Sequence, residues 1–241
     1  REGWGDVARR AVLLGSATYG LTGIDHDVAL MAQLLKGRGF DSVTTRTGAE
    51  ATRDGMLDTL NQLVAQTGPG DAVVLYYSGH GSRVTRPDAR QRGARGLEAH
   101  LQFLLPTDME QTTESDFRGL IGPELTAATT RLTDATDNVT VILDCCHSGA
   151  MVRSIEYVPK TVQPALPLLG AVEIADRLQR DQPGIGLAAN PRAVRIVACE
   201  TDRSAFEVRR PGGTDMRDRG GALTMALVET LQEVGERRVS W

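Results

Sequence analysis

Two short polar turns hold the side chains able to do nucleophilic chemistry. Residues 139–143 are β-branched or aliphatic and read as a buried strand, and Asp144-Cys145-Cys146-His147-Ser148-Gly149 follows at once. Residues 71–77 form a second apolar strand, closed by Ser78-Gly79-His80-Gly81-Ser82. In an open α/β sheet, ligands bind beyond the carboxyl ends of the parallel strands. A thiol at one such end and an imidazole at another offer the two parts of a thiol–imidazole couple, in which the imidazole takes the thiol's proton. Free cysteines are also common core residues, and a lone loop histidine is ordinary. The glycines flanking His80 argue against a core role, since they permit close backbone approach and supply no contact area. His80 precedes Cys146 by 66 residues, the same order as cysteine hydrolases whose His lies roughly 50 residues upstream.

The elements around these turns alternate. Residues 10–15 form a short apolar run ending in Gly and read as the first strand. Over 24–38, Ile24, Val28, Met31, Leu34 and Leu35 recur at helical spacing, with Gly37 and Gly39 as terminators. Residues 40–45 predict a second strand. Thr52 caps a helix whose Met56, Leu57, Leu60, Leu63 and Val64 share a face, stopped by Gly68-Pro69-Gly70. Such β-α-β-α-β order argues for a three-layer α/β/α fold with a largely parallel sheet of about six strands. Further on, 100–106 predict a strand, 124–132 a helix, 194–198 a strand and 222–234 a helix. Residues 83–98, with Arg83, Arg86, Arg90, Arg92 and Arg95, read as a solvated loop. The proline-marked stretch 150–192 reads as a connector, periodic only over 169–178.

Composition narrows the classes. At 241 residues the chain suits one α/β domain with a real core. A net charge of −4 gives no basic footprint, so nucleic acid is not an expected partner. Arg outnumbers Lys 25 to 2, which fits a GC-rich, bacterial coding bias. Three cysteines, two of them adjacent, imply no disulfide framework, and a reducing compartment suits a catalytic thiol. No run is long enough to span a membrane and no signal-peptide pattern opens the chain, so a cytoplasmic location without membrane partners is expected. The chain starts at Arg1 and stops after Trp241, which suggests a fragment of a longer protein.

Ser78-Gly79-His80-Gly81 and Asp144-Cys145-Cys146-His147-Ser148-Gly149 together resemble the two signature turns of caspase-like cysteine peptidases, and among these the metacaspases and their bacterial relatives. The resemblance runs from about residue 10 to 231. It implies one catalytic domain over 1–241: a large portion over about 10–150, a connector over 150–192 that is often cut, and a small portion over 193–241. The family's final strand is not evident before Trp241. The resemblance places the nucleophile at Cys146 and its partner at His80, with oxyanion donors at the Gly81 and Cys146 backbone N–H groups. Strand alternation puts Cys145 on the other side, as a structural residue. His147 is a rival only by adjacency.

The same resemblance bears on specificity. Caspases place an Arg that grips a substrate Asp in a segment resembling Leu21-Thr22-Gly23-Ile24-Asp25-His26-Asp27, and here that position is Leu21. Asp27 and Asp144 stand where metacaspases carry acidic pocket residues, and Glu207 stands near another caspase Arg. A carboxylate pocket favours a cation, so the expected cleavage follows Arg or Lys. The alternative readings are a helix-start acid for Asp27 and a capped turn residue for Asp144. Many metacaspases use calcium, but Gly122-Pro123 replaces the usual Asp pair and the remaining acids are sparse, so no metal or other cofactor is expected. The expected partners are a protein or peptide substrate and an activating domain outside this chain, with a monomer favoured. Arg153, Arg177 and Arg180 are candidate self-cleavage points. A catalytically silent interaction module and a different thiol hydrolase on a similar sheet are the competing readings.

Overall fold

The computed structural model describes residues 7–89, 99–146, 157–183, 190–199, 203–215 and 218–234. Its centre is a five-stranded, wholly parallel sheet in the order β2-β1-β3-β7-β9. The strands are β1 (Arg9–Ser16), β2 (Ser42–Arg46), β3 (Ala72–Gly79), β7 (Asn138–Asp144) and β9 (Val194–Val197). Period-2 alternation sorts each strand's side chains between two layers. Ala11, Leu13, Val74, Tyr76 and Ile142 face helices α1 (Ile24–Gly37) and α5 (Ala222–Val234). Val12, Leu14, Val73, Leu75, Tyr77 and Val141 face α2 (Arg53–Gln66) and α3 (Gly122–Ala135). The expected three-layer arrangement is present, with five strands in the parallel sheet. Among the described residues no helix is long and apolar enough to cross a membrane.

Local chemistry accounts for several boundaries. Thr52 caps α2 by accepting the Gly55 N–H at 3.1 Å. Pro123 opens α3, where a missing N–H costs nothing, and Glu124 reaches back to the Ile121 N–H. Glu124 also meets Arg53 at 2.6 and 2.9 Å, both side chains being mostly buried, so it is taken up in an internal ion pair.

Two small antiparallel sheets flank the main one, and the sequence pattern predicts neither. In the first, β4 (Gly81–Thr85) pairs with β5 (His100–Leu104), which pairs with β6 (Leu120–Ile121). Residues 83–85, read as loop, are therefore strand. In the second, β10 (Phe206–Arg209) lies between β8 (Tyr157–Pro159) and β11 (Arg219–Gly221). Residues 157–183, within the stretch read as a connector, hold regular structure. They supply β8 and helix α4 (Gly170–Asp181), whose Ala171 and Ala175 are buried against Phe103 and Phe117.

Replacing Arg53 by Met should strand the Glu124 carboxylate in a half-dry site. Such a broken internal pair costs about 3 kcal/mol, so urea unfolding should show a fall in midpoint with an unchanged m-value.

Candidate active site

The carboxyl ends of β3 and β7, adjacent in the sheet, put Ser78 opposite Asp144. His80 follows β3 directly and is 3 % exposed, and Cys146 follows β7 at 1 % exposed. Cys145 packs into the core beneath α2 and α3 with Leu143. Burial and the neighbouring Asp144 push its thiol pKa well up, which suits a structural cysteine. His147 and Arg153 lie outside the described residues.

A segment of the chain itself runs through this site as an added strand. Tyr157–Pro159 pairs antiparallel with β10, the Lys160 N–H donates to the Ala205 carbonyl at 2.8 Å, and Thr161 bridges to Gly81. The Lys160 carbonyl accepts two N–H donors, from Gly81 at 3.1 Å and Cys146 at 3.2 Å. These are the two groups expected to hold an oxyanion.

The Lys160 side chain is wholly buried between the two expected acids. Its Nζ lies 3.1 Å from Asp27 Oδ2, 3.2 Å from Asp144 Oδ1 and 2.8 Å from Ser78 Oγ. Each carboxylate is anchored by its other contacts. Asp27 accepts the Gly221 N–H at 2.8 Å and the Ser78 hydroxyl at 2.8 Å. Asp144 Oδ2 accepts the Thr224 hydroxyl at 2.6 Å and the Thr224 N–H at 3.1 Å. Burial alone would lower the ammonium's pKa, but Asp144 and Asp27 outweigh it and hold it above its ordinary value. Burial raises the Asp27 pKa against the pull of Lys160, as expected where two carboxylates share one cation. Gly221 lines this chamber: a Cβ there would stand 2.0 Å from Asp144 Oδ2 and 2.4 Å from Lys160 Nζ.

Glu207 is wholly buried nearby but has a different task. Its oxygens accept the Thr22 and Gly23 N–H groups at 3.2 and 2.8 Å, pinning the loop that leads into α1. It acts on the chamber through position and field, and burial raises its own pKa.

The couple itself is not closed. Neither His80 ring nitrogen makes a hydrogen bond of good geometry. The Cys146 thiol instead donates to the Arg203 carbonyl at 2.6 Å. Burial lowers the His80 pKa to about 4, although the carbonyls of Tyr19, Lys160 and Thr18 favour its protonated form. The imidazole is therefore neutral at pH 7 and able to accept a proton. Tyr19, a non-glycine residue at φ 47°, sets its ring edge-on to the imidazole at 6.0 Å. A cleft of about 350 Å³ opens here, lined by Tyr19, His80, Tyr157, Pro159 and Thr161.

Sequence reasoning names His80, Cys146, Gly81, Asp27 and Asp144, and these converge. It misses Lys160, Ser78, Gly221 and Thr224. Ser78 stands inside the quoted His turn and Gly221 inside a Gly-Gly helix start, which are the only signals available for either. Of the expected cut points, Arg177 and Arg180 lie within α4, where the backbone is committed to helical hydrogen bonds.

Comparison with known proteins gives a consistent picture. Residues 8–240 match the family model described as the caspase domain. Metacaspase-7 of Arabidopsis thaliana is 27% identical over 61% of this chain and 36% of its own length. Metacaspase-3 of Trypanosoma cruzi is 27% identical over 85% of this chain and 51% of its own. Metacaspase-2 of Trypanosoma brucei brucei is 28% identical over 90% and 62%. The chain thus spans between about a third and three-fifths of these relatives. A crystal structure of a Geobacter sulfurreducens protein superposes with a TM-score of 0.68 at 23% identity, covering 97% of this chain and 85% of that one.

Two outcomes follow from the geometry. The His80 pKa is lower folded than unfolded, so between pH 6.5 and 4 the unfolded chain binds the extra proton. Stability then falls with acidification by about 3 kcal/mol across that window. Denaturation at several pH values should show this contribution in the difference between wild type and His80→Asn, which cancels the slopes of other groups. Gly221→Ala should expel the lysine side chain while leaving the parallel sheet intact, read as new trypsin cleavage after Lys160 with little change in far-UV circular dichroism.

Proposed function

The chain belongs to the caspase-domain family, and on that footing we propose that it is a cysteine endopeptidase cutting protein chains after Lys or Arg, held as a zymogen by its own linker. The observation that carries this reading is the pose of Lys160. Its ammonium fills a chamber of two carboxylates while its carbonyl oxygen sits on the Gly81 and Cys146 N–H groups. That is the pose a substrate residue must take when the bond after it is broken.

In the proposed reaction Cys146 Sγ attacks the carbonyl carbon of the residue in the acidic chamber. Its proton passes to neutral His80, and the oxyanion gathers on the two N–H groups, whose alignment needs no further reorganisation. The C–N bond then breaks, the departing amine takes the proton from His80, and water hydrolyses the thioester through a second such intermediate. Asp27 and Asp144 select a cation, because a buried carboxylate pair facing a neutral or acidic side chain would be left uncompensated. Both expected basic residues fit, with Arg able to bond the pair bidentately.

Latency has two supports in this reading. The chamber is occupied in cis, and the Cys146 thiol is engaged by the Arg203 carbonyl instead of His80. Activation requires the thiol to turn from Arg203 towards the Lys160 carbonyl, after which Lys160–Thr161 is the first bond cut. It thereby replaces the arginines of the connector as the expected processing point. A cytoplasmic setting and protein substrates suit this chemistry, with the activating partner or domain outside the chain.

Peptides ending in Arg, Lys or Asp ahead of a fluorogenic leaving group test the activity. Once the chain is cut after Lys160 and the linker strand is displaced, Arg and Lys peptides should turn over and Asp peptides should not. Cys146→Ala should abolish turnover, and Asp144→Ala should lower kcat/KM for the Arg peptide by about 100-fold or more while leaving Cys146 open to alkylation. Preference for Asp would overturn the acidic-chamber argument. Failure of an electrophilic arginyl peptide to label Cys146, after Lys160→Met has freed the chamber, would favour the catalytically silent module. N-terminal sequencing of processed protein should begin at Thr161, and processing should persist in Lys160→Arg but not in Lys160→Met.

A further inference from the structure

Cys199 is the third cysteine of the chain, and the chemistry above leaves it unused. It lies just beyond β9, which pairs in parallel with β7 and sets Val197 opposite Leu143. The Ala198 N–H continues that ladder onto the Leu143 carbonyl at 3.0 Å, so Cys199 arrives beside the Cys145–Cys146 turn. Its Sγ lies 3.8 Å from the Cys145 carbonyl oxygen and hydrogen-bonds the Cys146 thiol. Neighbouring strands run about 4.8 Å apart, and a disulfide spans Cα separations of roughly 4.4–6.8 Å. The thiol of Cys145 is directed elsewhere, into the core between the sheet and α2 and α3.

We propose that Cys199 is the resolving thiol of a peroxide-responsive pair with Cys146, so that oxidation closes a Cys146–Cys199 disulfide. Only the consequence for activity rests on the function proposed above; the bond itself does not. Hydrogen peroxide is the oxidant. The Cys146 thiolate attacks one peroxide oxygen, giving a sulfenic acid and hydroxide, which takes up the proton lost by the thiol. The Cys199 sulfur then attacks the Cys146 sulfur and expels water, leaving the disulfide. In sum two thiols lose two electrons and two protons, and one peroxide becomes two waters. The order is fixed by environment: contact with the Cys146 thiol and burial keep Cys199 protonated, so it is not the first to react. Cys199 is part-exposed, which gives a small oxidant a route to the pair. The disulfide would take the nucleophile out of action reversibly and shield it from irreversible sulfinic acid.

The test is peptide mapping without reduction after a peroxide titration, on wild type and on Cys145→Ser, with free thiols alkylated first. A Cys146–Cys199 cross-link within one molecule, removed by dithiothreitol, is the expected result in both. In wild type, fragmentation between Cys145 and Cys146 identifies the linked sulfur even if Cys145→Ser does not fold. Cys199→Ser should instead accumulate sulfinic acid at Cys146, and labelling of Cys146 by iodoacetamide after reduction should fall at least tenfold relative to wild type. A link to Cys145, a link between two molecules, or equal recovery of Cys146 in wild type and Cys199→Ser would overturn the proposal. These readouts need no peptidase activity, so a chain that hydrolyses nothing could still form the pair.

Discussion

A lysine ammonium with no exposed surface is tolerated only where opposite charge and hydrogen-bond acceptors replace the water it has lost. Lys160 finds them in Asp27, Asp144 and Ser78. The three partners come from the first turn of α1 and the ends of β7 and β3, so the linker is tied to three separate elements at one atom. The reciprocal constraint is as strong. Without the lysine, two wholly buried carboxylates would face each other, and their pKa values would have to rise or water would have to enter. The two carboxylates and the lysine therefore depend on one another.

Fixing the ammonium also fixes the backbone behind it. The side chain reaches inward from a strand paired to β10, and the carbonyl of the same residue is delivered to the Gly81 and Cys146 N–H groups. Recognition and bond polarisation are therefore set by one residue's placement. An occupant tethered at both ends competes at an effective concentration that free peptides do not easily match. Cutting after it would remove one tether, but β8 would still be held by its pairing with β10. In the proposed function, release of that strand, and not the cut alone, is then the step that opens the site.

The reading of the sequence succeeded where a local pattern has one physical meaning. Apolar strands ending in Gly-His-Gly and Asp-Cys-Cys place His80 and Cys146 at strand ends, which the sheet makes neighbours, and the helical stretches match α1, α2 and α5 nearly to the residue. It failed where structure depends on distant partners. β6 is two residues long, and β8 is three residues beside a proline-rich stretch; neither can show a period. Lys160 looks like any solvated lysine until its strand is seen lying in the cleft. Asp27 is a first-turn acid of α1, as its position predicts, and its side chain also meets Lys160, which no local pattern discloses. Glu207 reads from the sequence as a pocket acid, but its oxygens are committed to the Thr22 and Gly23 N–H groups.

The part of the chain beyond residue 193 is not an appendage to a finished site. Thr224 belongs to the first turn of α5, where backbone N–H groups have no intrahelical partner and the helix dipole favours negative charge. Its N–H and hydroxyl hold Asp144 Oδ2, which leaves Oδ1 facing the ammonium. The Gly221 N–H does the same for Asp27, and only a residue without a Cβ can stand there. Each carboxylate is thus held by the start of α5 independently of its contact with the cation. Such pre-orientation reduces the ordering cost of binding, since the acids need not be gathered by the ligand. Residues 10–150 alone would carry His80, Cys146 and both acids, yet the two carboxylates would lack the Gly221 and Thr224 donors that aim them.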